Sequence, residues 1–223
     1  MIMNRSWICT ILSALVGLTA MTMEGSARAD VVDNPGYFEF QVMPGTDSHF
    51  RFTSGSGKFI QLAPSLGYYF NADIDSIGVV SNVDSNLAVG TFNNIGGGTS
   101  ATAELMLLSS SEGFVDPVHN VLAFRTTKAR VRFQIGLSAC TTGTFTIDLS
   151  TENYAGSECN GVNYDPSTGV FCMSASNFVV PQLASTACSN NGNLLNSYFN
   201  LGVSTGSYMQ ILSGVVDPAI VGS

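Results

Sequence analysis

Hydrophobic and polar residues alternate with a period of two in four separate stretches of the chain. In residues 37–43, Phe38, Phe40 and Val42 fall on one side, and Tyr37, Glu39 and Gln41 on the other. In 48–52, Phe50 and Phe52 oppose His49 and Arg51. Residues 128–135 put Ala129, Val131, Phe133 and Ile135 on one face; 144–150 set Phe145, Ile147 and Leu149 against Thr144, Thr146, Asp148 and Ser150. Successive side chains of a strand point to opposite faces, so this pattern predicts strands with one buried and one wet side. Less regular apolar runs at 59–62, 77–83, 87–92, 121–124, 178–180 and 208–212 predict more of them. Turn chemistry separates these runs at Pro44-Gly45, at the Ser-Gly repeat of 54–57, at 94–98 and at Asn191-Gly192. Short strands divided by glycine turns predict an all-β fold, a single antiparallel β-sandwich of jelly-roll or Greek-key type. At most one or two short helices are expected. Residues 101–108 are rich in Ala, Glu, Leu and Met, all good helix formers, and 194–201 are weakly amphipathic.

The first thirty residues follow a different plan. Arg5 supplies a positive start, residues 7–18 are apolar, and Ala27-Arg28-Ala29 is a small-x-small cleavage site. This is the pattern of a secretory signal peptide over 1–29, with the mature chain beginning at Asp30. The apolar run is short for a membrane anchor, and no later segment is longer, so no transmembrane segment is expected in the mature chain. Residues 30–223 are expected to form one domain. Gly96-Gly97-Gly98 offers a mobile break within it, but the segment before that break is small and without a disulfide.

Export changes the meaning of the cysteines. Cys9 leaves with the leader, and Cys140, Cys159, Cys172 and Cys188 remain, an even number suited to two disulfides in an oxidising compartment. Their spacing lacks the close pairs typical of zinc sites. The segment CNGVNYDPSTGVFC, 159–172, carries turn residues at its centre. A hairpin with residues 164–167 as its loop sets Cys159 opposite Cys172 and leaves Cys140 for Cys188. The sequential pairing, Cys140 with Cys159 and Cys172 with Cys188, stays open.

Charge narrows the partners. Only 11% of residues are charged, and the full chain carries −8. Loss of Arg5, Arg28 and Glu24 leaves six basic and fifteen acidic residues, a net −9. That balance argues against nucleic acid or an anionic membrane as partner. Yet four of the six remaining cations lie in FRTTKARVRF, 124–133: Arg125, Lys128, Arg130 and Arg132. On a strand, Lys128, Arg130 and Arg132 project from one face in a row spaced about 7 Å apart. Such a row suits an acidic glycan or an acidic patch on another subunit. Equally, it suits pairing with the protein's own carboxylates, or the blunting of a sheet edge.

Catalytic and metal motifs are incomplete. Ser56-Gly57-Lys58 resembles the end of a phosphate loop, but Phe52 and Phe59 stand where glycine and a hydroxyl residue belong. Asp73, Asp75 and Asp84 offer an irregular calcium site, although Ile77 occupies a ligand position of the EF-hand pattern. The two histidines, His49 and His119, lack the elbow of a serine hydrolase. Glu39, Glu104, Glu112, Glu152 and Glu158 are available for glycoside hydrolysis, but no spacing singles out a pair. Tyr37, Tyr68 and Tyr69 are candidate sugar-stacking rings. The expectation is a non-catalytic secreted or cell-surface protein with a structural or adhesive role, acting through self-association or surface glycans. An extracellular carbohydrate- or ligand-binding module and a secreted glycoside hydrolase are the alternatives.

Overall fold

The computed structural model describes residues 36–45, 48–53, 58–75, 79–109, 112–116, 121–152, 164–165 and 170–215. The strands are β1 (Gly36–Val42), β2 (His49–Arg51), β3 (Phe59–Gln61), β4 (Tyr69–Ile74), β5 (Val80–Asn86), β6 (Val89–Gly96), β7 (Thr99–Ser109), β8 (Glu112–Asp116), β9 (Val121–Ile135), β10 (Ser138–Thr141), β11 (Phe145–Ser150), β12 (Tyr164–Asp165), β13 (Val170–Ser176) and β14 (Tyr208–Val215). Two short helical segments, α1 (Ala187–Asn190) and α2 (Gly192–Phe199), lie between β13 and β14. Every strand pairing is antiparallel, and the backbone of the sheet runs β5-β4-β1-β14-β13-β11-β9-β7-β6. Shorter strands attach along it: β2 beside β14, β3 beside β2, β8 and β10 beside β9, and β12 beside β13. Where the alternation suggested two stacked layers, hydrogen bonding joins the strands into one sheet that curls into a half-barrel. Curling lets a single sheet enclose its own apolar face, which a flat one cannot.

Phenylalanine fills the concave side. Phe40 packs on Phe70 and Phe171 with ring centroids 4.6 and 4.7 Å apart, and Phe124 closes this group. A second group centres on Phe199 of α2, whose ring lies 4.6 Å from Phe52, 4.8 Å from Phe92 and 5.0 Å from Phe133. The tilted and edge-on contacts among these rings suit their quadrupoles. Thus the helix between β13 and β14 supplies the ring at the centre of the second group.

β9 shows how alternation and irregularity combine. Ala129, Val131 and Phe133 are buried between exposed Lys128, Arg130, Arg132 and Gln134. Earlier in the strand the buried core residues are Leu122 and Phe124, so the phase flips between them. The flip occurs at a bulge where pairing with β11 steps from Thr127↔Ile147 to Phe124↔Leu149. Thr126 adopts φ +53° there, and its N–H donates to Asp148 Oδ1 at 2.8 Å. An extra residue in one strand changes which side chains face inward, so this bulge sets the facing of the whole basic row.

Several expectations are corrected. Residues 101–108 lie within β7, not a helix: Ala101, Ala103, Leu105 and Leu107 are buried and alternate with Thr102, Glu104 and Met106. The segment has helix-forming composition but strand periodicity, and pairing with β6 and β9 on its two sides favours the latter. Residues 178–180 are not a strand, although Phe178 and Val180 are buried. The predicted helix near 194–201 is present as α2, ending at Asn200 with φ +55°. Gly97 and Gly98, at φ +57° and +80°, form the two-residue turn between paired Gly96 and Thr99, a conformation that suits glycine.

The Cys140–Cys188 disulfide is formed; it ties β10 to α1. Here Cys188, Ser189 and Asn190 all have positive φ, a left-handed turn unfavourable for non-glycine residues. It is held by the disulfide, by the Ser189–Ser138 hydroxyl hydrogen bond at 2.9 Å, and by Asn191 Nδ2 donating to the Cys188 carbonyl at 2.8 Å. Gly192 follows with no room for a side chain, because a Cβ would meet the Ala184 carbonyl oxygen at 1.9 Å. The hairpin at 159–172 has another register than expected: Tyr164 pairs with Phe171 and Asp165 with Val170. The connecting residues are therefore 166–169 rather than 164–167. Cys172 is fully buried on β13, and Cys159 lies outside the described residues.

Two measurements check this architecture. Phe199→Ala is expected to cost about 3–5 kcal/mol in urea unfolding, by analogy with buried aromatic truncations. Replacing Cys140 and Cys188 together by alanine opens a cross-link 48 residues apart. In the chain-entropy description this removes about 4 kcal/mol, read as a lower denaturation midpoint with the folded β-type circular dichroism retained.

Candidate functional site

The basic row is real and exposed. Lys128, Arg130 and Arg132 project outward from the second half of β9 and Arg125 from the bulge region. The edge-blunting explanation does not hold, because β9 is paired with β7 on one side and with β10 and β11 on the other. Self-pairing holds in part. Arg132 stands in register with Glu104 of β7, 3.7 Å between guanidinium and carboxylate, and Arg125 reaches Glu152 at 3.4 Å. Arg130 Nε donates to Thr144 Oγ1 at 2.8 Å, a neutral partner. No carboxylate among the described residues pairs with Arg130 or Lys128. Around them on the same side lie Glu104, Met106 and Leu108 of β7 and Thr146 and Asp148 of β11. The result is a mixed-polarity face with two cations left over.

The opposite charge gathers elsewhere. Glu39 of β1, Asn71 of β4 and Asp84 of β5 form a row across three neighbouring strands, with Asp73 two residues from Asn71. Asp73 Oδ2 accepts from Asn82 Nδ2 at 2.7 Å, and Asp84 Oδ1 from the Ser85 N–H at 2.9 Å. Asp75 Oδ1 accepts from the Val79 N–H at 2.8 Å. Asp73 and Asp84 thus lie on adjacent strands, and Asp75 lies just past the end of β4. Among the described residues no three His, Cys, Asp or Glu side chains are grouped as a metal site.

The remaining candidates disperse. His49 lies on β2, its ring 5.6 Å from Tyr208 and 6.1 Å from Phe59; His119 lies outside the described residues. Lys58, the residue of the failed phosphate loop, sits 3.7 Å from the centre of the Tyr198 ring and donates to the Tyr198 carbonyl. Its position anchors α2 to the start of β3. Of the five glutamates considered for hydrolysis, Glu104 and Glu152 face arginines, Glu39 belongs to the acidic row, and Glu158 lies outside the described residues. Glu112 pairs in register with Arg125 on β9. Tyr68 and Tyr69 are partly buried, and Tyr68 packs against the core.

A further polar row escaped sequence reading. His49, Gln210, Ser174 and Ser150 stand in register across β2, β14, β13 and β11. Gln210 and Ser174 are fully buried although they point away from the phenylalanine core, and Ser174 Oγ has no hydrogen-bond partner among the described residues. Tyr208 joins this side, donating to Gln210 Oε1 at 2.7 Å beneath the Arg51 guanidinium. In sequence, Ser174 and Gln210 alternate with apolar neighbours as wet-face residues do, so no local signal marks their burial.

No protein-family model matches this chain, and no solved structure matches it. Among the described residues no helix is long and apolar enough to cross a membrane.

The Arg132–Glu104 contact is half exposed at both ends, 50% and 37%. A double-mutant cycle with Arg132→Ala and Glu104→Ala is expected to give a coupling of about 0.2–1 kcal/mol. Urea titrations in low and high salt check it, and the coupling should shrink as salt rises.

Proposed function

We propose that this chain is an exported, non-catalytic β-protein acting outside the cytoplasm as a structural or adhesive component. The observation that carries the reading is the Cys140–Cys188 disulfide, because such bonds form and persist in oxidising compartments. A leader over residues 1–29 agrees with it. So does the low charge of the chain, 11%, typical of a surface built from Ser, Thr, Asn and Gly. The second bridge belongs to the same proposal. Once Cys9 is removed with the leader, Cys159 is left to pair with Cys172, which is fully buried on β13. In this reading the two walls of the curled sheet, facing each other across the phenylalanine core, serve as the layers of a sandwich-type scaffold. The structural or adhesive part draws on the exposed outer face of β7, β9 and β11, a surface with charge to spare.

A second reading, an extracellular ligand- or carbohydrate-binding module, draws support from Lys128 and Arg130, which have no carboxylate partner among the described residues.

Expression of the full chain with its leader tests the export proposal. The recovered product is expected to begin at Asp30 by mass spectrometry and to show no free thiol when denatured without reductant. A product retaining Met1 in the cytoplasm, with four titratable thiols in the mature region, contradicts it. Retention of the processed protein on the producing cell surface, or concentration-dependent assembly, supports the structural role; a monomer that diffuses freely at every concentration counts against it.

A further inference from the structure

We propose that the outer face of β7, β9 and β11 is a docking surface for a second copy of this chain, which presents its β1–β4–β5 carboxylates to Lys128 and Arg130. This rests on the structural, self-associating reading above and names its interface.

Three observations point to it. First, the two faces are complementary and each is left uncompensated. Lys128 and Arg130 are exposed with no carboxylate partner, while Glu39, Asp73 and Asp84 have no cation partner among the described residues. Four strands, β1, β14, β13 and β11, separate β4 from β9 along the sheet. Second, the groups have similar dimensions. Lys128 and Arg130 stand about 6.8 Å apart along β9. Asp73 is likewise offset along β4 by about 6.8 Å from the row joining Glu39 to Asp84, which are two strands and about 9.6 Å apart. Third, exposed Val89 and Leu108, 51% and 39% accessible, flank the row and add apolar area at its rim.

A second copy suits this face better than an acidic polysaccharide. Glu104 and Asp148 lie among the cations on the same side. A uniformly charged chain laid along β9 meets these carboxylates, whereas a protein face can set amides and hydroxyls opposite them. The acidic face has such groups in Asn71 and Asn82. Pairing through strand edges is disfavoured. β5 and β6, the ends of the sheet path, each contain a left-handed asparagine, Asn82 and Asn94, at φ +50° and +56°, beside a register irregularity. Such bulges interrupt the run of free backbone groups that strand addition needs. The contact is therefore face to face and heterologous, one patch of a copy against a different patch of the next. That geometry closes into a ring or extends into a filament.

The experiment is charge reversal with complementation, read by sedimentation velocity on the processed, oxidised protein up to about 1 mM, where weak interfaces fill. Wild type is expected to associate with rising concentration, and less so when NaCl is raised from about 0.15 to about 1 M. Lys128→Glu with Arg130→Glu, and separately Asp73→Lys with Asp84→Lys, should each weaken association roughly tenfold or more. Mixing the two variants should restore it, because each then offers the charge that the other lacks. Near-UV circular dichroism confirms that both variants are folded. Wild-type association undiminished in both variants, or a mixture no better than its parts, overturns this interface while leaving the self-associating role in place. A wild type that stays monomeric but binds polygalacturonate through Lys128 and Arg130 overturns the second copy in favour of an acidic polysaccharide. A monomer that binds neither itself, nor polygalacturonate, nor the producing cell surface overturns the interface and the structural reading together.

Discussion

Burial of phenylalanine on the concave side of one curled sheet is the constraint on which the rest of the structure depends. The rings of Phe40, Phe70, Phe124 and Phe171 form one packed group, and those of Phe52, Phe92, Phe133 and Phe199 another, which Phe50 extends through Phe52 to Phe178. Apolar burial contributes roughly 25 cal/mol per Å² removed from water, and aromatic side chains carry the largest areas. A flat sheet leaves one side of these rings wet. Curvature brings the strands at both ends of the path around the same core, and bulges and paired glycines supply the changes of direction that curvature requires. Bulges serve two purposes here: they bend the sheet, and they choose which residues face out.

The connection from β13 to β14 is the other structural device. Instead of a short turn, the chain makes an excursion through buried Phe178, Val180 and Leu183, then α1 and α2, before returning as β14. This excursion is anchored at several points. Cys188 is bonded to β10, Leu183 exchanges hydrogen bonds with the Asn196 side chain, and Lys58 holds Tyr198 from the β3 side. A segment so short on regular structure has little stability of its own, and it depends on these tertiary ties. Its position over the second phenylalanine group explains why a covalent link is placed at this end of the fold.

The outer surface follows a different logic from the core. An acidic chain keeps four of its eight lysines and arginines on a single interior strand, where hydrogen bonding on both sides holds them in fixed rows. Partial neutralisation by Glu104 and Glu152 leaves a face that is patterned rather than uniformly positive. Patterned charge contributes more to specificity and orientation than to raw affinity. This suits a component that must meet a particular surface in a particular register. The buried Gln210 and Ser174 belong to another part of the exterior, where the outward side of the sheet is also removed from water.

Much of this was open to reading from the sequence alone. Period-two alternation identified β1, β2, β11 and the second half of β9, and the 159–172 hairpin reading left Cys140 for Cys188 as one of two open connectivities, although its register differs from the one expected. The same alternation was present in β7 but was masked by the helix-forming character of Ala, Glu, Leu and Met. The order of strands, the central place of β9, the phase flip at Thr126, the hairpin register at Tyr164 and the burial of Ser174 were decided by the tertiary structure. Alternation is local, since each residue turns its side chain opposite to the last whatever lies beside it. Neighbours are not local: the Ser48 hydroxyl and the Leu212 backbone, 164 residues apart, meet by hydrogen bonds only once the chain has closed on itself. A sequence therefore shows which residues can face inward, while long-range pairing determines what they face.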